Sequence, residues 1–355
     1  MKPQRGIALI TAIFVVALAS IAAVAMFEAA NISVHRSANL VQSETELWYA
    51  TGIESWVKGI LLQDYKLTGN KTVGLNGIWA QPVDFLPIDG GGIRGHMEDL
   101  QGRFNLNNLG VGTLNTNAGS GTVATGAMLY IQQFDRLLDN LPNFNGSKYQ
   151  GMGYAIRDWI DADDQRSGSY GAEDQDYLSQ DPPYRAANQS MRSISELMLV
   201  KGMTKELYAA LLPYVAALPV TTPGSTVPIL PANPAGSTGT GTVTPININT
   251  APEPVLLSLA SNITNTAAVE KFIAVRKTQP ATATTEISGT GEFAFIPSST
   301  VAGTAGGQVA ISVNSNYFEL QAEVFIGSGR LALYSVLYRP SSGVSVVLAH
   351  STNTE

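Results

Sequence analysis

The chain contains no cysteine. That excludes disulfides, thiolate metal sites and cysteine nucleophiles together. Charge is also scarce, at 14% of 355 residues, and its balance is −7 at pH 7. A negative chain offers no general attraction for nucleic acid or for an anionic membrane surface. Only three histidines occur, His35, His96 and His350. None stands beside another histidine at metal spacing or near a Gly-x-Ser-x-Gly elbow, so each reads as a surface residue and no catalytic centre is expected. Glycine, by contrast, is frequent at 34 residues, which points to long polar loops of Gly, Ser, Thr and Asn rather than to a charged surface.

Charge, proline and glycine are all missing from one long stretch, Ile7–Phe27, which reads IALITAIFVVALASIAAVAMF. As a helix it spans roughly 30 Å, the thickness of a bilayer's hydrocarbon core. Lys2 and Arg5 precede it, so the N-terminal end is expected to stay cytoplasmic and the remainder to be exported. A cleaved signal peptide would be shorter and would end in a small-residue site. Here the chain continues proline-free through EAANISVHRSANLVQSETELWYATGIESWVKGILLQDY. Val34, Val41 and Trp48 recur every seventh residue, with Ala38 and Thr45 between them. One face therefore continues as helix, to near Asp64–Tyr65, before the turn-prone LTGNKTVGLNG. Trp48 and Trp56 read as core residues under a covering sheet, the alternative being that one of them faces a neighbouring subunit.

A membrane helix that runs without a break into a soluble helix, after a short basic leader ending in Gly6, resembles the type IV pilins and the pseudopilins of type II secretion. The resemblance implies cleavage by a prepilin peptidase between Gly6 and Ile7, with methylation of the new N-terminus. In that family the fifth residue after the cut is normally Glu; here it is Thr11. A carboxylate in the membrane core is expensive without a partner, and Thr11 removes one usual docking pair. The branch that regularly lacks this Glu and is unusually long is minor pseudopilin K, which the chain is similar to in both respects. What the resemblance implies is a non-catalytic assembly subunit at the tip of a periplasmic pseudopilus. It would sit in the inner membrane with its C-terminal domain in the periplasm. Its partners would be the minor pseudopilins I and J, the major pseudopilin and the prepilin peptidase, with no nucleic acid.

Past the stem, Ile78–Ile88 is an apolar segment interrupted by Pro82 and Pro87, and IDGGGIRGHMEDLQGRFNLNNL reads as a short hairpin. Arg103–Asn107 alternates as a half-buried strand should, and Gly110–Gly126 reads as a loop. From Ala127 the period becomes helical: AMLYIQQFDRLLDNL, YAIRDWID and SISELMLVKGMTKELYAALLPYVAAL are helices, the last broken at Lys201–Gly202. Ser193 with Glu196 forms a capping-box pattern. Thr221–Val243 is low-complexity, and ININTAPEPVLLSLASNITNTAAVEKFIAVRK returns to helices. Near the end Phe318, Leu320, Ala322 and Val324 alternate with polar residues, and strands follow over Leu331–Tyr338 and Val344–Leu348. The expected fold is α+β and pilin-like, a long N-terminal helix packed on an antiparallel sheet, with an all-α insertion. Its divisions are leader 1–6, stem 7–65, first α/β part 66–126, helical insertion 127–290 and C-terminal strands 291–355.

The densest ligand cluster is DWIDADD, beginning at Asp158, followed by GAEDQD, ending at Asp176. Carboxylates crowded on a turn repel unless a cation relieves them, and Ca²⁺ accepts roughly six to eight oxygens in irregular geometry. The spacing is not an EF-hand, and a solvated acidic loop is the plainer alternative. The stretch also resembles the calcium-binding segment of pseudopilin K relatives. That resemblance implies a structural Ca²⁺ held among Asp161, Asp163, Asp164, Glu173, Asp174 and Asp176, with Asp181 at the margin. An exported chain without disulfides has use for such a staple.

Two other classes of function compete with this one. ELMLVKGMTKELYAAL and the ININTA segment resemble helix-hairpin-helix units, which would make the chain a DNA-binding component of a competence pilus. Only Lys201, Lys205, Lys271, Arg276 and Lys277 lie nearby, too few for phosphate-driven affinity. A secreted hydrolase with a retained anchor would need a reactive centre, and none is visible.

Overall fold

The computed structural model describes residues 5–69, 71–112, 127–219, 243–261, 263, 265–289, 293–296 and 309–353. Leader residues 1–4 and most of the loops expected over Gly110–Gly126 and Thr221–Val243 lie outside the described residues. One helix, α1 (Arg5–Thr68), runs unbroken for 64 residues, about 96 Å at helical rise. Nothing in it stops a helix. Thr45, Thr51, Ser55 and Thr68 each donate to the carbonyl four residues earlier, which keeps their hydroxyls from competing with the backbone ladder. The stop comes at Gly69, whose φ of +62° is the left-handed conformation of a helix C-terminus. Residues 9–41 are exposed on every side, and this part is long and apolar enough to cross a membrane, with none of its most apolar window buried.

The C-terminal part of α1 lies on a sheet. Strands β1 (Val83–Ile88) and β2 (Gly91–Asp99) form an antiparallel hairpin. Pro87, which looked like an interruption, sits within β1 because β1 is an edge strand and need not donate outward. Next comes a helical layer. It contains α2 (Ala127–Asp139), α3 (Met152–Ile160), α4 (Asp174–Tyr177), α5 (Lys205–Leu211), α6 (Glu253–Ser258) and α7 (Thr266–Val275). It also holds two short parallel pairs, β3 (Phe104–Asn105) with β4 (Val215–Ala216) and β5 (Ile246–Asn247) with β6 (Ile311–Ser312). The expectation of an all-α insertion is corrected by these pairs. Strands β7 (Tyr317–Ile326), β8 (Gly329–Tyr338) and β9 (Val346–Thr352) then complete a sheet of order β1-β2-β7-β8-β9, antiparallel throughout.

Alternation sets which face of the sheet is buried. Phe318, Leu320, Ala322 and Val324 of β7, with Leu331, Leu333 and Leu337 of β8, meet the stripe Ala50, Ile53, Val57 and Leu61 on α1. That helical spacing of three and four places the four side chains on one face. Trp79 is buried edge-on to Phe318, ring centres 5.2 Å apart. Below them Arg339, fully buried, donates to Asp64 at 2.9 Å and lies over the Phe318 ring at 4.9 Å. This pair ties the end of the stem to the end of β8. Trp48 lies on the opposite side of α1 and is 77% exposed, so it is not the core residue its heptad position suggested; Trp56 is also exposed.

The helical layer has its own core, which takes in Phe104, Leu106 and Leu109 together with Phe134, Ile156 and Val255. Here the sequence reading needs a second correction. Arg103–Asn107 is not a strand with one wet face. Asn105, Asn107 and Asn108 are all buried, and each side chain pairs with both backbone groups of one distant residue. Asn107 donates to Met191 O and accepts from Met191 N; Asn105 does the same with Leu218 and Asn108 with Thr244. Asn249 repeats the device on Ala281. An amide carries donor and acceptor side by side, so it completes a backbone pair as a neighbouring strand would. The segment SISELMLV forms a 3₁₀ turn over Ile194–Leu199, capped as expected by Ser193 and Glu196.

Candidate metal centre

The acidic segment leaves α3 at Ile160 and returns at Asn188, whose N–H donates to Trp159 O at 3.0 Å. Inside this excursion Trp159 stands edge-on to Tyr177 at 5.2 Å and Tyr184 lies 5.3 Å from Tyr177. These rings form an apolar wall. Against it converge three carboxylates, Asp158, Asp161 and Glu173, each offering an oxygen within 4.8 Å of the others. All three residues are buried. Asp158 points back across the loop because its two oxygens accept from Ser167 N at 3.0 and 3.1 Å. A Cβ at Gly171 would lie 2.2 Å from Asp158 Oδ2, so only glycine permits that approach.

The cluster is under-partnered. Asp161 Oδ1 and both carboxylate oxygens of Glu173 are buried without a hydrogen-bond donor. The nearest cation is Arg157, whose Nε is 3.5 Å from Asp161 Oδ2. Its other nitrogens donate to Leu109 O and Gly112 O. Three carboxylates against one guanidinium leave an excess of negative charge in a site with little water. The cost appears as proton affinity. Burial pushes the Asp161 carboxyl up to about 7, with Arg157 opposing and Asp158 and Asp163 reinforcing. Burial, then Asp158, Asp161, Asp163 and Asp164, push Glu173 up to about 8. Such groups need either protons or a cation.

A hard divalent cation fits the donor set. Oxygens each about 2.4 Å from one ion lie at most about 4.8 Å apart, a limit that these three satisfy. Orphaned, buried, all-oxygen donors suit Ca²⁺ and do not suit a soft metal.

The structure separates the residues that the sequence grouped. Asp161 and Glu173 lie in the cluster, and Asp158, outside the set that the resemblance implies, joins them. Asp163 and Asp164 are exposed, and Asp163 Oδ1 accepts from Gln165 N. Asp174 is occupied elsewhere, paired with Arg185 at 2.6 Å and accepting from Ala186 N. Asp176 accepts from Glu173 N and pairs with Arg166 at 2.7 Å and Lys201 at 2.8 Å. Asp181 is exposed. What marks Asp158 is its approach to a loop glycine, Gly171, and that is a tertiary fact with no local signal. The same ion pairs weaken the nucleic-acid reading. Lys201 is neutralised by Asp176 and Arg276 is buried with its Nη1 on Ile248 O.

Comparison with known proteins places this arrangement in context. Residues 102–220 match the family model for Type II secretion system (T2SS), protein K. The chain is 31% identical to the type II secretion system protein K of Pseudomonas aeruginosa, over 98% of its own length and 92% of that protein. It is also 31% identical to the protein K of Aeromonas hydrophila, over 98% and 96%. In structure it is similar to a chain of the GspK-GspI-GspJ complex from the enterotoxigenic Escherichia coli type 2 secretion system. That likeness has a TM-score of 0.65 and 25% identity, and covers 90% of this chain and 100% of the other.

Proposed function

The chain belongs to the type II secretion system protein K family, and from that premise we propose that it works by assembly rather than by catalysis. It is a minor pseudopilin of a type II secretion system. The observation that carries the assembly reading is α1: one continuous helix, naked through residue 41 and covered on a single side below that. In this reading the prepilin peptidase cuts between Gly6 and Ile7, and the apolar part of α1 anchors the chain in the inner membrane. The sheet and helical layer stand in the periplasm. The I- and J-type pseudopilins are its partners, as the complex formed by the relative suggests, and the bulky head caps the fibre. Thr11, in place of a membrane carboxylate, and the size of the head both favour the tip, because subunits stacked above so large a head would be obstructed.

Purification of the tagged chain from membranes should recover the I- and J-type subunits in defined proportion, and immunogold labelling should mark one end of the pseudopilus. Label spread evenly along the fibre would refute the capping role. Sequencing the membrane form should give a first residue of Ile7. A start beyond Phe27 would indicate removal of the whole apolar stretch instead.

We further propose a structural Ca²⁺ held by Asp158, Asp161 and Glu173. The ion supplies the positive charge that the cluster needs and pins the end of α3 to the start of α4. Arg157 orients Asp161, and Ser167 N orients Asp158.

A further inference from the structure

We infer that the outer edge of β9 is a strand-accepting site. An extended segment of another protein, apolar at alternate positions and carrying a carboxylate, pairs antiparallel with β9 and lays side chains into the groove beside it.

The sheet has two edges, β1 and β9, and they differ. β1 contains Pro87 and follows Pro82, and its register with β2 slips between Val83 and Leu86. Proline and bulges are the ordinary guards against a further strand. β9 has no proline, lysine or carboxylate, and its bulge at Leu348 leaves residues 349–352 in regular register with β8. Asn353 N–H donates to Ala332 O, and Ser351 and Ala349 stand opposite Tyr334 and Val336. Residues bonded to the neighbouring strand alternate with residues whose N–H and C=O both turn away. His350 and Thr352 therefore turn theirs outward, and among the described residues no backbone group meets them. Such an edge is a template for one kind of ligand, an extended polypeptide.

A groove of about 380 Å³ runs beside this edge, between the outer face of the sheet and the helical layer. Val336 and Ala349 form its sheet side, and Ile194, Tyr208 and Leu212 its helical side. Alternate side chains of an added strand point to one face of the sheet. On this face they enter the groove, where apolar residues suit the walls. Charge at the rim sets a further requirement. Arg103 is taken by Glu98, and Glu319 is buried on the floor. His350 pairs with Glu54 of α1, on the opposite face. Arg192 is exposed, and among the described residues it has no carboxylate partner. A carboxylate on the incoming segment complements it.

Direction excludes a second copy of this chain. β8 starts at Gly329, beside Gln42 and Glu46, and leads to Arg339, beside Asp64. It therefore runs with α1 away from the apolar span, and β9 runs back toward it. Every pair in this sheet is antiparallel. A second copy that paired β9 with β9 in that sense would be inverted. Its stem would point away from the bilayer that holds the first, so this exclusion rests on the anchoring role of α1 given above. A segment of another protein has no such constraint.

Blocked peptides of seven residues, the length of β9, provide the test. They alternate valine and threonine around one glutamate, and their affinity for the full-length chain in detergent is measured by fluorescence anisotropy. Methylating the peptide's backbone nitrogens along one edge should weaken binding about tenfold or more. This change leaves the protein unaltered, so misfolding cannot produce it. His350→Pro removes an outward N–H and no bond to β8, so the melting temperature should hold while binding falls about tenfold. Arg192→Glu should reverse an approximately threefold preference for the glutamate peptide over its lysine counterpart. No binding by any of these peptides, equal binding of the methylated one, or binding undiminished by His350→Pro would overturn the proposal. A dimer of the parent chain that His350→Pro dissolves would also overturn it, by giving the edge to a second copy. An unchanged charge preference in Arg192→Glu would overturn the acidic requirement. The assembly reading is tested apart from these results, by copurification of partner subunits, which no peptide measurement affects.

Discussion

Arg339→Met is expected to destabilise the protein by about 3–5 kcal/mol, one of the largest single effects in the molecule. Arg339 has no exposed surface, and Asp64 is nearly as buried. The guanidinium also donates to Leu61 O and Ser315 O, both at 3.3 Å, and covers Phe318. It therefore closes three elements at once: the end of α1, the entry to β7 and the end of β8. Methionine fills similar volume but leaves the Asp64 carboxylate without its cation. Burial already pushes the Asp64 carboxyl above its ordinary value, with Arg339 opposing that rise. Without Arg339 the rise is larger, so folded Asp64 holds a proton at pH values where unfolded Asp64 has lost it. Stability of the variant then falls as pH increases. Chemical denaturation in detergent should show a deficit larger at pH 8 than at pH 5. Adding Asp64→Leu should recover part of it, since the double variant buries no lone charge. Equal midpoints for the single variant and the parent would show that the pair does not hold the sheet to the stem.

Chelation is the second large effect. Removing Ca²⁺ at pH 8 is expected to lower the melting temperature by several degrees, because an ion at a hundred times its Kd adds about 2.7 kcal/mol to the native state. The pH dependence follows from the raised carboxyls, at about 7 for Asp161 and about 8 for Glu173. Between roughly pH 4 and pH 8 the ion-free folded protein binds more protons than the unfolded chain, whose carboxyls have ordinary values. Its stability therefore falls as pH rises through that window. A bound cation removes the need for those protons. The gap between chelated and calcium-loaded protein should open toward pH 8 and close toward pH 5. Asp161→Asn combined with Glu173→Gln removes both raised groups, and this variant should melt at one temperature with or without chelator. A parent protein that melts identically in both conditions at pH 8 would end the metal proposal.

Much of the fold was legible in the sequence because it is local. The apolar run and the proline-free continuation define α1 with no reference to anything distant, and its end, expected near Asp64–Tyr65, comes at Thr68 before Gly69. Alternation in β7 named its buried face correctly, and Ser193 with Glu196 marked a true cap. The asparagines were misread for an equally physical reason. Alternating polar residues ordinarily mean a wet face, and nothing local distinguishes an amide facing water from one that clamps Met191 or Leu218. Asp99 is a further case. Its buried carboxylate accepts from Gln101 N, Asn247, Thr250 and Ser315, joining β2 to the helical layer and to β7. Those partners are scattered along the chain.

Gly6 followed by an apolar helix, Thr11 in place of Glu, and the crowd of aspartates after α3 could all be read from the residues in order, and they determined the class of this protein. Only the tertiary structure decided which carboxylates meet. Asp174 and Asp176 are drawn off by Arg185, Arg166 and Lys201, and Asp158 is brought in across the loop to Asp161 and Glu173. It likewise decided that Trp48 looks away from the sheet. Periodicity and propensity act over a few residues and specify elements. The path of a loop and the side of a helix that a sheet covers depend on packing between segments far apart in the chain, and no local pattern contains them.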